Sequence, residues 1–252
     1  MSENVKIIEC PRDAMQGLQK IISTQKKADY INSLIKVGFD YIDFGSFVSP
    51  KLVPQMSDTV EVLKLLNIQE DTSLLAVVLN KRGAQKASLF NEIKVLGYPL
   101  SISEVFQKKN SNKTISESLI VIDQISNICM QYNKKLLIYF SMAFGNPYGE
   151  KWDESILLEY IYQIQKKGIL LVSLADTIGN SNKDSIKKIY SSANTQFPEL
   201  DIGIHLHSHP DFVCEKIQSA WDSGCRRFDV AISGYGGCPF AQDELVGNIP
   251  TE

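Results

Sequence analysis

The chain lacks several features that would commit a sequence to a class at once. It has no basic excess, with 26 Lys and Arg against 29 Asp and Glu for a net charge of -3, so it cannot build the positive field that nucleic-acid binders need. No apolar run is long enough to span a bilayer, and the chain enters a strand pattern by Val5 without an apolar signal or an Arg-rich transit segment. A membrane partner is therefore not expected, and the expected location is cytoplasmic. The five cysteines, Cys10, Cys129, Cys214, Cys225 and Cys238, are odd in number and never spaced Cys-x-x-Cys, which reads as free thiols in a reducing compartment. No linker or low-complexity stretch divides the sequence, so residues 1–252 are read as one domain.

What is present is a repeated alternation of strand-like and helix-like runs. Val5 to Cys10 precedes a helical pattern over Lys26–Val37 that stops at Gly38, and Tyr41–Phe47 precedes Ser57–Leu66 with Ser57 as its cap. Leu74–Leu79 precedes Arg82–Val95, and Tyr98–Ser103 precedes a long helix over Ser116–Tyr132. Lys135–Ser141 precedes Asp153–Lys167, Leu170–Leu174 precedes Asn182–Asn194, and Asp201–His207 precedes Asp211–Trp221. Arg226–Ile232 supplies the eighth strand. Strands that are always separated by helices pair in parallel through right-handed crossovers, which predicts an α/β fold of the TIM (β/α)8 barrel type. An open doubly wound sheet could use the same alternation, but Pro11-Arg12-Asp13 stands where its Gly-rich fingerprint would follow the first strand. No eighth helix follows the last strand, so the expectation is a barrel whose flank is completed by chain beyond Glu252 or hidden in a homo-oligomer.

All three histidines fall within five positions, in Gly203-Ile204-His205-Leu206-His207-Ser208-His209. Alternate residues of a strand share a face, so His205 and His207 point the same way about 7 Å apart along the strand, close enough for two neutral imidazoles to converge on one divalent ion. The alternative is a pair that caps the strand or fills a core. His209, next to Pro210, is read as a loop residue.

Five stretches together resemble the 3-hydroxy-3-methylglutaryl-CoA lyase branch of the metal-dependent barrel lyases related to isopropylmalate and homocitrate synthases. They are Pro11-Arg12-Asp13-Ala14-Met15-Gln16, Gly45 to Lys51, Asp176-Thr177-Ile178-Gly179, His205-Leu206-His207 and Gly234 to Pro239. The resemblance implies a divalent metal, Mg²⁺ or Mn²⁺, held by Asp13, His205, His207 and Asn248. It implies catalytic roles for Arg12, Asp13, His205 and Cys238, and substrate contacts from Gln16, Asp43, Tyr148, Ser173 and Asp176. The implied partner is an acyl-CoA, and the implied reaction is cleavage of a carbon-carbon bond beside a tertiary hydroxyl. The chemistry of these side chains agrees. A carboxylate with two imidazoles suits Mg²⁺ or Mn²⁺, a guanidinium can hold an enolate oxygen, and a thiol can donate a proton near neutrality.

Local sequence alone leaves alternatives open: Arg12 and Asp13 as an ordinary loop pair, Asp176 as a helix cap and Cys238 as a buried thiol. The sequence departs from its relatives at Asp43, where they carry Glu, at Ser208-His209-Pro210, where they carry Asp-Thr-Tyr, and in one extra residue between Cys238 and Asn248. Three functions are consistent with the whole: a hydroxyacyl-CoA lyase, a related aldolase or Claisen-type acyltransferase on another hydroxy acid, and a metal- or CoA-binding relic without turnover.

Overall fold

Eight short strands stand side by side, each parallel to the next, and the last pairs with the first: β1 (Lys6–Glu9), β2 (Tyr41–Ser46), β3 (Ser73–Val77), β4 (Ile93–Ser101), β5 (Lys135–Ser141), β6 (Leu171–Asp176), β7 (Asp201–Leu206) and β8 (Arg227–Val230). This is the closed barrel that the alternation predicts. The structure, a computed structural model, describes residues 4–69, 71–237 and 246–252. Around the barrel lie α1 (Pro11–Gln16), α2 (Thr24–Val37), α3 (Thr59–Leu63), α4 (Lys81–Ser88), α5 (Glu104–Ser111), α6 (Ile115–Gln131), α7 (Glu154–Lys166), α8 (Lys183–Gln196) and α9 (Val213–Asp222). Among the described residues no helix is long and apolar enough to cross a membrane.

Local chemistry accounts for most element ends. Ser23 accepts a hydrogen bond from the Lys26 amide to start α2, Ala28, Ile31, Leu34 and Ile35 form its buried stripe, and Gly38 ends it at φ 86°. Thr114 and Glu117 form a capping box that begins α6 at Ile115, one residue ahead of the expected Ser116. The expected helix Ser57–Leu66 is only the short α3, and a separate 3-10 turn at Pro54–Met56 precedes it. Asp58 stands at the N-cap of α3 without capping it, because Thr24 and Lys27 donate to its carboxylate from α2 at 2.7 and 2.6 Å. The expected helix Arg82–Val95 stops at Ser88, and β4 starts five residues earlier than the predicted Tyr98. Long-range pairing of Ile93 and Val95 with β3 overrides their local helical spacing. The helices α1 and α5 are not in the sequence reading at all. Both are short and sit on the loops after β1 and β4, where they shape the catalytic face rather than cover the barrel.

Most of the core lies between the sheet and the outer helices, and a second, smaller cluster of Ile8, Cys10, Leu75, Val77, Val95, Leu137 and Tyr139 fills the barrel interior. Near the N-terminal ends of the strands the interior is ionic. The buried Arg227 donates to Asp201 Oδ1 at 2.9 Å, to the Val172 carbonyl at 2.6 Å and to Ser173 Oγ at 2.9 Å. Gly203 on β7 makes room for it, since a Cβ there would meet Arg227 Cζ at 2.7 Å. After β8 the chain makes a 3-10 turn at Ile232–Gly234, and no α-helix follows among the described residues. The tail over 246–252 runs between the ends of β7 and β8, with Ile249 N donating to the Leu206 carbonyl at 3.3 Å and Ala231 N to the Ile249 carbonyl at 3.0 Å.

Candidate active site and metal centre

The catalytic face of the barrel opens on a cavity of about 120 Å³ whose polar side holds Arg12, Asp13, Gln16, His205, His207 and Thr177. Its other side is apolar, with Val77, Leu79, Pro99, Phe106 and Ala175. Pro11 at the first position of α1 turns the chain sharply after β1, and that short helix aims Arg12, Asp13 and Gln16 at one point.

Asp13 is the hub. Its Oδ1 accepts from Arg12 Nη1 at 3.0 Å and Gln16 Nε2 at 2.8 Å, and its Oδ2 accepts from Asn248 Nδ2 at 2.7 Å and the Gly237 amide at 3.3 Å. Burial alone would raise its pKa, but the Arg12 guanidinium, the two histidines and Asn248 outweigh it and hold the carboxyl below the ordinary carboxylate value. Gly236, at φ 113°, has to be glycine for this hub to close, because a Cβ would meet Asp13 Oδ2 at 2.9 Å and press still harder on Asn248.

His205 points in from β7, and its Nδ1 lies 3.2 Å from Oδ2 of Asp229 on β8, the residue paired with it in the sheet register. Burial would lower its pKa, yet Asp229 raises it above the usual histidine value. His207 follows just past the strand, where its Nδ1 lies 3.1 Å from the Thr177 carbonyl, and burial with the neighbouring His205 pushes its pKa down to about 4. Thr177 O can only accept, so Nδ1 of His207 carries the proton and Nε2 presents a lone pair. The ligand atoms of Asp13, His205 and His207 lie within 4.8 Å of one another.

Two buried atoms in this group have no hydrogen-bond partner, His207 Nε2 and Asn248 Oδ1. An orphaned buried polar atom costs about 1 to 3 kcal/mol, so two beside one ionised carboxylate call for a cation. Asn248 reaches the centre because the tail pairs with β7, forming a bridge between His207 and Asn248. The donor set of one carboxylate, two imidazole nitrogens and one amide oxygen fits a divalent ion of the Mg²⁺ or Mn²⁺ type.

The remaining candidates are spread more widely. Gln16 lines the cavity. Asp43 lies fully buried behind Arg12, its Oδ2 accepting from Arg12 Nε at 3.0 Å and from Nη2 as well. Burial pushes the Asp43 pKa up against the pull of Arg12, while Asp43 and Asp13 together hold the guanidinium charged against its own burial. Tyr148 packs beside Phe106, Met142 and Ile178, with the Lys109 ammonium 4.4 Å from its ring centre. Two further candidates for substrate contact are hydrogen-bonded within the protein. Ser173 sits deep in the barrel with its hydroxyl taken by Arg227, and Asp176 turns from the cavity to accept from the amides of Asn180 and Ser181 at 3.1 and 3.0 Å and from Lys216 at 3.2 Å. Cys238 lies outside the described residues. His209 is a loop residue as expected, capping the 3-10 turn at Pro210–Phe212.

Sequence reasoning missed Asp229 and Lys216, which touch the two histidines from behind. Asp229 left one signal, its place two residues from Arg227 on the inward face of a strand. Its pairing with His205 depends on the β7–β8 register, which no local pattern encodes.

The family model described as HMGL-like matches residues 4–252. The hydroxymethylglutaryl-CoA lyase of Bacillus subtilis is 32% identical over 248 residues, covering 96% of this chain and 80% of that protein. The human mitochondrial hydroxymethylglutaryl-CoA lyase is 33% identical over 255 residues, covering 100% of this chain and 77% of that protein. Among solved structures, an HMG-CoA lyase from A. baumannii in complex with coenzyme A and 3-methylmalate superposes with a TM-score of 0.93 at 32% identity, covering 100% of this chain and 82% of that one.

Proposed function

Since this chain belongs to the HMGL-like family, we propose that it is a divalent-metal-dependent carbon-carbon lyase that cleaves 3-hydroxy-3-methylglutaryl-CoA, or a close 3-hydroxyacyl-CoA, to acetyl-CoA and a β-keto acid such as acetoacetate. The observation that carries this reading is the pair of orphaned buried atoms, His207 Nε2 and Asn248 Oδ1, set around Asp13 in the cavity that also holds Arg12.

When bound, Mg²⁺ or Mn²⁺ would act as a Lewis acid that makes the substrate hydroxyl easier to deprotonate. Asp13, His205, His207 and Asn248 would hold it, and Asp229 keeps the His205 ring turned so that its Nε2 meets the same point. Cleavage moves the electrons of the breaking carbon-carbon bond onto the thioester carbonyl. Arg12 is the buried cation suited to that charge: Asp43 and Asp13 lock three of its N–H groups, so the fork is fixed before substrate arrives. The apolar wall of Val77, Leu79, Pro99 and Phe106 excludes water from the enolate. Cys238 is our candidate for the acid that protonates the enolate carbon. The complex of the A. baumannii enzyme with coenzyme A supports an acyl-CoA as the partner. Free thiols at Cys10, Cys129, Cys214 and Cys225 support a reducing, cytoplasmic setting.

The test is product identification with purified protein, hydroxymethylglutaryl-CoA and added Mg²⁺ or Mn²⁺. Metal-dependent formation of acetyl-CoA and acetoacetate is expected. Turnover only with acetyl-CoA and a 2-oxo acid would replace the lyase with a condensing enzyme.

A further inference from the structure

Outside the catalytic set, the chain buries two lysines almost completely, Lys27 and Lys216, each 2% exposed. A buried ammonium persists only where its donors are matched. Lys27 meets the Gln55 carbonyl and Asp58, ties α2 to the segment before α3, and does not line the cavity. Lys216, on α9, has three acceptors for its three N–H bonds: the His207 carbonyl at 2.9 Å, the Gly179 carbonyl at 3.0 Å and Asp176 Oδ2 at 3.2 Å.

These acceptors are not scattered. The orientation of the His207 ring rests on one hydrogen bond, from Nδ1 to the Thr177 carbonyl. Lys216 grips the donor end through the backbone of His207, and the acceptor end through Asp176 and Gly179, which flank Thr177 in the loop after β6. Asp176 braces that loop further through the Asn180 and Ser181 amides and Ser181 Oγ.

We propose that Lys216 is a positioning residue for the metal centre: one buried ammonium clamps both partners of the hydrogen bond that aims His207 Nε2 at the ion. The proposal rests on reading Asp13, His205, His207 and Asn248 as that centre, and it adds a residue that touches neither metal nor substrate. Because Lys216 acts through His207, its loss lowers metal affinity first and turnover through it.

The experiment measures Mn²⁺ binding to the purified protein by electron paramagnetic resonance, alongside melting temperature and the Mn²⁺ dependence of turnover, for wild type, Lys216→Met, Lys216→Gln and Lys27→Met. Lys216→Met is expected to weaken Mn²⁺ binding by about 10- to 100-fold, the usual cost of losing a group that orients a metal ligand. Its turnover returns towards wild type at saturating Mn²⁺, while the Mn²⁺ concentration for half activity rises. Lys216→Gln, which keeps two N–H donors for the carbonyls, falls between. Lys27→Met loses melting temperature and keeps wild-type Mn²⁺ affinity. The proposal is overturned if Lys216→Met binds Mn²⁺ within twofold of wild type, if Lys27→Met weakens Mn²⁺ as much, or if neither Lys216 variant folds, since the ammonium would then be framework alone. If wild type itself binds no Mn²⁺, the metal reading fails instead, and that result appears before any variant is compared.

Discussion

Asn248 offers the sharpest check on the metal centre, because its two side-chain atoms do different jobs. Nδ2 donates to Asp13 Oδ2 at 2.7 Å and to the Tyr235 carbonyl at 2.9 Å, and Oδ1 is buried with no partner. Replacing it with Ala removes one hydrogen bond to an ionised acceptor, about 1.5 to 3 kcal/mol, and one to a neutral carbonyl, about 1 kcal/mol. For a chain of this size about 1 kcal/mol moves the melting temperature by roughly 2 to 4 °C, so Asn248→Ala without metal should melt about 5 to 15 °C lower. It should also bind Mn²⁺ more weakly, having lost a ligand oxygen. Asn248→Asp separates the two jobs. It loses the donor and sets a second carboxylate against Asp13, a repulsion of about 4 kcal/mol at ~4 Å in an effective dielectric of ~20, relieved in part by proton uptake. Without metal it should therefore be at least as unstable as the Ala variant, and Mn²⁺ should raise its melting temperature more than it raises wild type, because the ion now meets two anions. Thermal melts with and without Mn²⁺ read both effects. If Asn248→Ala and Asn248→Asp both bind Mn²⁺ like wild type, Asn248 is a scaffold residue and the orphaned Oδ1 needs another explanation.

Arg12→Lys keeps a cation but not the planar fork held by Asp43 and Asp13, so turnover should fall by orders of magnitude with Mn²⁺ affinity little changed; near wild-type turnover removes Arg12 from the mechanism. Cys238→Ala should depress turnover by about 10² to 10⁴ and leave Mn²⁺ binding intact, and loss of the metal along with activity would contradict its role as the acid. Asp201 tests the ionic floor of the barrel. Burial would raise its pKa, but Arg227 and Lys6 hold it below the ordinary value, so the stability it adds is full above about pH 3.9 and disappears as pH falls through its depressed folded value. Asp201→Asn should accordingly be less stable than wild type at pH 7, with the gap closing in strong acid; a constant gap across that range would show that charge is not what Asp201 contributes.

The alternation of eight strands with helices was readable because it is local. Strand runs such as Leu136 to Phe140 are apolar throughout, as they must be when both faces of a parallel sheet are covered. The stripe of Ala28, Ile31, Leu34 and Ile35 likewise reports one buried helix face. The cluster around His205 and His207 was legible for a related reason, since the strand period alone puts both on one face. Where local and distant preferences compete, the reading failed. Ile93 and Val95 look helical until β3 pairs with them, and Ser57 looks like a cap until Asp58 is drawn to Lys27.

Periodicity by itself determined the barrel and put His205 and His207 on one face of a strand, because each depends on spacing within one element or on elements arriving in sequence, while the resemblance singled out Arg12 and Asp13. Tertiary structure decided what stands behind those residues. Asp229 reaches His205 through the register of β7 and β8, Asn248 reaches Asp13 across 235 positions through the returning tail, and Lys216 reaches His207 from the buried face of α9. Asp176 and Ser173, expected from the resemblance to contact substrate, hydrogen-bond with Lys216 and Arg227 in the folded chain. The physical reason is common to all five. A hydrogen bond is satisfied by whichever partner the fold delivers within about 3 Å, and in a closed barrel that delivery is fixed by strand register and crossover packing, which no stretch of sequence contains alone.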